Sequence, residues 1–322
     1  MPAGSRRRRN LDGWSSITTR HTRDGLPVCA PRCLIGVAPC GRAAAPRYHC
    51  RLKPPDGNPS QRVPLRTLAA TRYVTPLREG GSMPAIVEAD DAGLYVLKFR
   101  GAGQGANALV AELLAGEIAR AAELLVPELV FMELDPDLAR TEPDPEIQAL
   151  IRASAGTNLA LDYLPGATAF DPVVDRPEAT IASSIVWLDA FVSNVDRTAR
   201  NTNMLMWHRR LWLIDHGAAF YFHHAGGDYV ARARDPFAMI ADHVLLPFAS
   251  AIAEVDFALA QRLTPATLRD VVRLVPDAWL AGDPAFGSAD ERRAAYVDYL
   301  CARVQAPRDF VQEAVRARSQ HV

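Results

Sequence analysis

Two aspartates and an asparagine gather in one polar stretch and its sequel. Asn194-Val195-Asp196-Arg197-Thr198-Ala199-Arg200-Asn201-Thr202-Asn203 is followed by a short hairpin and then by Leu213-Ile214-Asp215-His216-Gly217. Carboxylate and amide oxygens are the hard ligands that a divalent ion such as magnesium prefers. A phosphate chain carries dense negative charge and normally arrives with such an ion. Moving a phosphoryl group needs positioning and charge compensation more than covalent help. One acid to orient an acceptor hydroxyl and two oxygen ligands for the metal make a sufficient minimal set. Taken singly, each residue has a plainer role: Asp196 and Asn201 as turn caps, Asp215-His216-Gly217 as a strand-end turn. The apolar run from Leu211 to Ile214, however, fixes the height of Asp215 beside a core strand.

A lysine completes the set. Lys and Arg together number 36, yet only Lys53 and Lys98 are lysines. Lys98 lies inside the apolar run Leu94-Tyr95-Val96-Leu97-Lys98-Phe99, where strand alternation puts it on the face of Val96 and Leu94. A strand-end lysine can simply snorkel to water. It can also reach a phosphate as a compact ammonium, where a guanidinium has the wrong size and shape.

The elements that must carry these residues are legible in outline. Order is expected from about Thr71, with strands at Tyr73-Val74, Ala85 to Glu88 and Leu94 to Phe99, and a glycine turn over the first hairpin at Gly80-Gly81-Ser82. A helix is expected from Asn107 to Leu125, with Leu109, Leu113, Leu114, Ile118 and Ala121 at helical spacing. It carries Glu112 and Glu117, which five positions of helix turn apart by about 140°. A strand follows at Leu129 to Leu134, a short helix at Pro145 to Ala153 and a strand at Asn158 to Leu164. An amphipathic helix is expected from Ala179 to Val192, with Ile181, Ile185, Leu188 and Val192 on one side. A hairpin comes next, from Met204 to Trp207 and Leu211 to Ile214, and helices follow Pro236. Strands first and helices afterwards predict an α+β chain with a sheet-rich lobe on a helical one. A ligand belongs in the cleft between them. The boundaries expected are 1–68 as an extension outside the domain, 69–164 as the first lobe and 165–322 as the second.

Composition limits the alternatives. A formal net charge of -1 over 322 residues gives no global field toward nucleic acid or an acidic membrane. No run of eighteen apolar residues reads as a membrane span. Arg6 to Arg9 are followed by no long apolar segment, so a secretory signal is not expected and the default location is the cytoplasm. Cys29, Cys33, Cys40 and Cys50 lie in the Pro/Arg/Ala-rich head without zinc-knuckle spacing, and the odd fifth, Cys301, argues against a disulfide scaffold. The head reads as a flexible extension or as an upstream stretch outside the true chain.

From about Tyr73 to His224 the chain resembles the HipA-like kinases, within the broader superfamily of protein kinases and phosphatidylinositol kinases. Asp196 and Asn201 keep the five-residue offset between that superfamily's catalytic aspartate and a metal-binding asparagine. Asp215 lies fourteen positions further, after a hairpin, and Asp215-His216-Gly217 resembles the Asp-Phe-Gly element. Asp196-Arg197-Thr198 is similar to an Asp-Arg-His run, with Thr198 where a histidine is common. The resemblance implies ATP and Mg2+ as cofactors, with Asn201 and Asp215 on the metal and Lys98 on the α and β phosphates. It implies an acidic partner for Lys98, for which Glu112 is preferred to Glu117. Gly80, Gly81 and Ser82 become the phosphate loop, although no Walker A Gly-Lys-Ser/Thr is present. Leu161, Asp162, Tyr163 and Leu164 become the hinge whose backbone pairs with adenine. The acceptor implied is a protein serine or threonine; a lipid or small molecule is the runner-up, and a catalytically inactive nucleotide-binding pseudokinase is a third reading. No Ala-Pro-Glu segment is present, which counts against ordinary peptide phosphorylation. Tyr221-Phe222-His223-His224 either lines the acceptor site or packs beneath the active-site turn.

Overall fold

The computed structural model describes residues 64–77, 83–103, 105–224 and 228–320. The expected extension up to residue 63, its four cysteines and the phosphate-loop residues Gly80, Gly81 and Ser82 lie outside them. Strands β1 (Thr67–Pro76), β2 (Ala85–Ala89), β3 (Leu94–Lys98), β4 (Leu129–Leu134) and β5 (Gly156–Asp162) close into a barrel in the order β1-β2-β3-β5-β4. Strand β1 starts four residues before Thr71, where order was expected. Its early residues pair in parallel with β4, Thr67 with Phe131 and Leu68 with Met132, and this pairing closes a sheet whose other pairs are antiparallel.

Alternation sorts the barrel. Val87, Tyr95, Leu97, Val130, Met132 and Ala160 are buried in one cluster. Helix α2 (Pro145–Ala153) adds Ile147, Leu150 and Ile151 to it. The opposite parity carries Lys98, which pairs in register with Leu159. Leu159, Leu161 and Leu129 join a second cluster together with helix α1 (Ala106–Ala121). Lys98 therefore emerges on the barrel face that α1 covers. Helix α1 stops at Ala121 rather than Leu125, and Glu123 then adopts a left-handed φ of 64°.

The same large cluster runs on through α3 (Ala179–Phe191), α4 (Ile252–Arg262), α5 (Pro265–Arg273), α6 (Asp277–Leu280), α7 (Ala289–Val304) and α8 (Asp309–Ser319). This is a sheet region followed by a mostly helical one, the two-lobed α+β plan of kinase-like folds. Helix α3 departs from the amphipathic expectation. Every residue from Ala182 to Phe191 is buried, while Ile181 is exposed. A helix that is apolar all round lies inside the protein instead of on its surface. A small sheet of β6 (Thr168–Ala169), β7 (Met204–Trp207) and β8 (Arg210–Leu213) brackets α3 in the chain. The β7–β8 turn places His208 and Arg209 at positive φ, the twist that two-residue hairpins favour.

Candidate active site

Helix α3 ends by reversing at Ser193, which has a φ of 53°. The Asn194 N–H returns to the Asp189 carbonyl at 2.8 Å and the Ser193 N–H to that of Ala190. This 6→1 and 5→2 pattern is a Schellman stop, made here without glycine. Asn194 then fixes the start of the polar turn. Its side-chain oxygen accepts the Asp196 N–H at 3.2 Å, while its amide donates to Asp189 Oδ1 at 2.9 Å. Residues Thr198 and Asn201 close a tight turn by exchanging backbone hydrogen bonds of 3.0 and 3.2 Å. That turn brings Asn201 back to Asp196, and Nδ2 donates to Asp196 Oδ2 at 2.7 Å. Asn203 Nδ2 approaches the same oxygen at 3.4 Å.

Beneath this turn lies a buried ionic knot. Asp189 Oδ2 accepts Arg197 Nε at 2.5 Å and faces His243 Nε2 at 2.9 Å. Arg197 also donates from Nη1 to the carbonyls of Asn203 and Ile214. One guanidinium thus joins α3, the Asp196 turn and the residue before Asp215. Burial pushes the Asp189 carboxyl up, but the Arg197 charge and the His243 contact outweigh it and hold the group below its usual range. The sequence reading missed Asp189 and His243. An aspartate inside an apolar helix is a signal that a charged partner must exist. Nothing local announces His243, which comes from 54 residues away and meets Thr198 through an isolated bridge.

Lys98 is the second centre. Its Nζ donates to Glu112 Oε2 at 2.7 Å and to Asp215 Oδ1 at 2.5 Å. Glu112 thus stands on Lys98, whereas Glu117 pairs with Arg120 at 3.2 Å. Burial draws the lysine down, and the charges of Asp215 and Glu112 more than reverse this and raise it above its usual value. Burial raises Glu112, but Lys98 and His216 bring it to about 2. Asp215 sits after β8 at a φ of 53°. Strand β8 is tied to the end of the α1–β4 connection by the Leu213 N–H, which donates to the Leu125 carbonyl. Burial and then the Asp215 charge push Asp196 above its ordinary value, so the two carboxylates feel one another. Lys98, Glu112, Asp196, Asn201 and Asp215 form one electrostatic unit built from β3, α1, the turn after α3 and the end of β8.

The donor set suits magnesium. Because the Asn201 amide nitrogen is spent on Asp196, its Oδ1 is left buried with no hydrogen-bond partner. That oxygen and the Asp215 carboxylate are hard ligands. Among the described residues no group of three or more His, Cys, Asp or Glu side chains could hold a metal alone. Magnesium commonly takes one or two protein ligands and completes its shell with phosphates and water.

The hinge expectation needs refining. The Asp162 N–H donates to the Glu128 carbonyl at 2.9 Å and the Tyr163 N–H to that of Leu94 at 3.0 Å. Leu161 lies inside ladders with both β3 and β4. Of the four residues, Leu164 alone lies beyond these pairings, and its side chain packs with Trp207 and Trp212. The strand begins and ends two residues earlier than the sequence suggested, and its last pairings use donors assigned to a base. Further along, Phe222 and His223 are buried, with His223 Nδ1 at 2.8 Å from the Tyr296 hydroxyl, so half of the Tyr221–His224 run packs inward.

One sequence family spans both the sheet region and the helical one. The family model described as HipA-like kinase matches residues 71–310. No match was found among curated proteins. Among solved structures the chain is similar to the Helicobacter pylori proinflammatory kinase CtkA at 10% identity, covering 80% of this chain and 99% of that one with a TM-score of 0.44. It is also similar to the Golgi casein kinase at 12% identity, covering 79% and 72% with a TM-score of 0.39.

Proposed function

The chain belongs to the HipA-like kinase family, and on that premise we propose that it transfers the γ-phosphate of ATP to a protein serine or threonine. The observation that carries the reading is the meeting of Lys98, Glu112 and Asp215 beside the Asp196–Asn201 pair. Lys98 lies on the phosphates, with Glu112 holding its head in place. Asn201 and Asp215 hold Mg2+, which when bound neutralises the charge that gathers on the phosphate oxygens. Asp215 would offer its carboxylate to that ion, and in this structure its Oδ1 accepts from Lys98. Asp196 orients the acceptor hydroxyl and accepts its proton as the bond to phosphorus forms. The Asn201 and Asn203 amides hold its Oδ2, which directs Oδ1 to the acceptor. Leu164 supplies the backbone N–H of the hinge.

Magnesium-dependent ATP turnover by the purified chain tests this, with mass spectrometry to find phosphorylated residues. Asp196→Ala is expected to keep ATP affinity and lose about 100-fold or more in transfer. Lys98→Met keeps the apolar stem and is expected to lose both affinity and transfer. Asp215→Asn is expected to weaken magnesium-dependent nucleotide binding while the fold survives. Wild-type turnover in Asp196→Ala would remove the assigned base, and ATP binding without any transfer would make this a nucleotide-binding pseudokinase.

A further inference from the structure

His216 occupies the middle of Asp215-His216-Gly217 and has no role in the transfer described above. Its side chain is fully buried, and neither Nδ1 nor Nε2 has a hydrogen-bond partner. Glu112 Oε1 is likewise buried and unpartnered. These two orphans face each other: Nδ1 lies 3.5 Å from Oε1. The other Glu112 oxygen is the one that holds Lys98. The turn rests directly on helix α1, since a Cβ at Gly217 would lie 3.7 Å from the Ala108 carbonyl, one helical turn before Glu112. Buried polar groups that make no hydrogen bond are costly, and a ring nitrogen facing a carboxylate oxygen at the outer limit of bonding distance resolves both costs by a small movement.

We propose that His216 is a positioning residue that donates from Nδ1 to Glu112 Oε1. It thereby holds the carboxylate that holds Lys98. The bond matters when Lys98 releases Asp215 to take up phosphates. Glu112 is then anchored by the residue next to Asp215, and the lysine and the metal site are set together. An aromatic residue without a ring nitrogen fills the same space and supplies no such donor. The proposal rests on the nucleotide reading above.

The test combines a spectroscopic and a binding readout on the full chain. The chain has only eight histidines, so 15N-labelled imidazoles can be assigned by difference. His216 is expected to carry a proton on Nδ1 in the presence of magnesium and ADP. His216→Phe is expected to bind magnesium-ADP about tenfold more weakly, the effect of losing a hydrogen bond to a charged group. His216→Asn is expected to recover most of that loss, because its amide N–H reaches the place of Nδ1. A bare Nδ1 overturns the proposal. So does wild-type affinity in His216→Phe where Lys98→Met loses affinity, and the nucleotide reading then still stands. If the wild-type chain itself fails to bind magnesium-ADP, the nucleotide reading fails and this proposal falls with it. Should His216→Phe not fold, the ring-nitrogen signal of the wild type decides.

Discussion

Asp189 shows how much of the active-site turn depends on a residue that touches no reacting atom. Its carboxylate is fully buried against Arg197, whose side chain is also fully buried. Removing one partner of such a pair leaves a charge with no compensation, at a cost of about 3–5 kcal/mol. Asp189→Asn is therefore expected to lower the urea midpoint sharply, since Arg197 loses its counter-charge while keeping its contacts to the Asn203 and Ile214 carbonyls. Because the folded group is held below its ordinary value, its contribution is present above about pH 4 and is lost as pH falls further. The variant's acid unfolding should accordingly be flatter than the wild type's, and a parallel acid limb in both proteins would show that the pair carries no such linkage. At this scale the sequence revealed residues whose chemistry is unusual in their surroundings. Lys98 stood out as one of two lysines, and Asp196, Asn201 and Asp215 by their offsets. It was silent on His243, because a contact that skips 54 positions leaves no trace in local spacing.

Elements were legible where periodicity was strong. The bounds of β4 and α2 agree with the expected ones, for in each the apolar pattern ends in a turn or cap. Strand β5 was placed late: it begins at Gly156 and ends at Asp162, not Leu164. The consequence is chemical, because ladder pairing uses the Asp162 and Tyr163 donors. Helix α3 misled for a related reason. A pattern count finds a stripe of Ile181, Ile185, Leu188 and Val192, but Ala182, Ala190 and Phe191 on the other faces are buried too. The end of β5 also carries a titratable strain. Burial, followed by the Glu128 charge, pushes Asp162 up to about 6. A folded value above the unfolded one means that the folded chain retains a proton that the unfolded chain has released. Stability from this group is therefore full below about pH 4 and declines as pH rises toward 6. Asp162→Asn cannot ionise, so it should be more stable than the wild type at pH 7.5, with the two melting temperatures converging below pH 4. Lower stability of Asp162→Asn at pH 7.5 would instead point to a favourable pairing of the carboxylate with Arg66, whose charge acts on it.

At the scale of the whole molecule, the sequence conveyed the order of a sheet followed by helices but not the closure of the barrel. Closure depends on the parallel pairing of β1 with β4, which joins segments about sixty positions apart and has no local signature. Among the described residues no helix is long and apolar enough to cross a membrane. The first strand of the described residues is held by contacts at its start. Leu65 packs against the large core cluster. Arg66 grips Glu128 through Nε at 2.9 Å and Asp91 through Nη1 at 2.8 Å, linking β1, the β2–β3 turn and β4. These contacts lie before residue 69, where the sequence placed the start of the first lobe. A chain starting at Val63 keeps all of these contacts and is the reference for a shorter one. A chain starting at Ala69 loses the Arg66 network, the Leu65 packing and the Thr67 and Leu68 pairs that close the barrel. Each exposed ion pair contributes at most about 1 kcal/mol, so most of the loss comes from reopening the β1–β4 seam. That shorter chain should melt several degrees lower and lose magnesium-ADP affinity, since Lys98 stands on the barrel so closed. Equal melting temperatures for the two starts would show that β1 contributes nothing before Ala69.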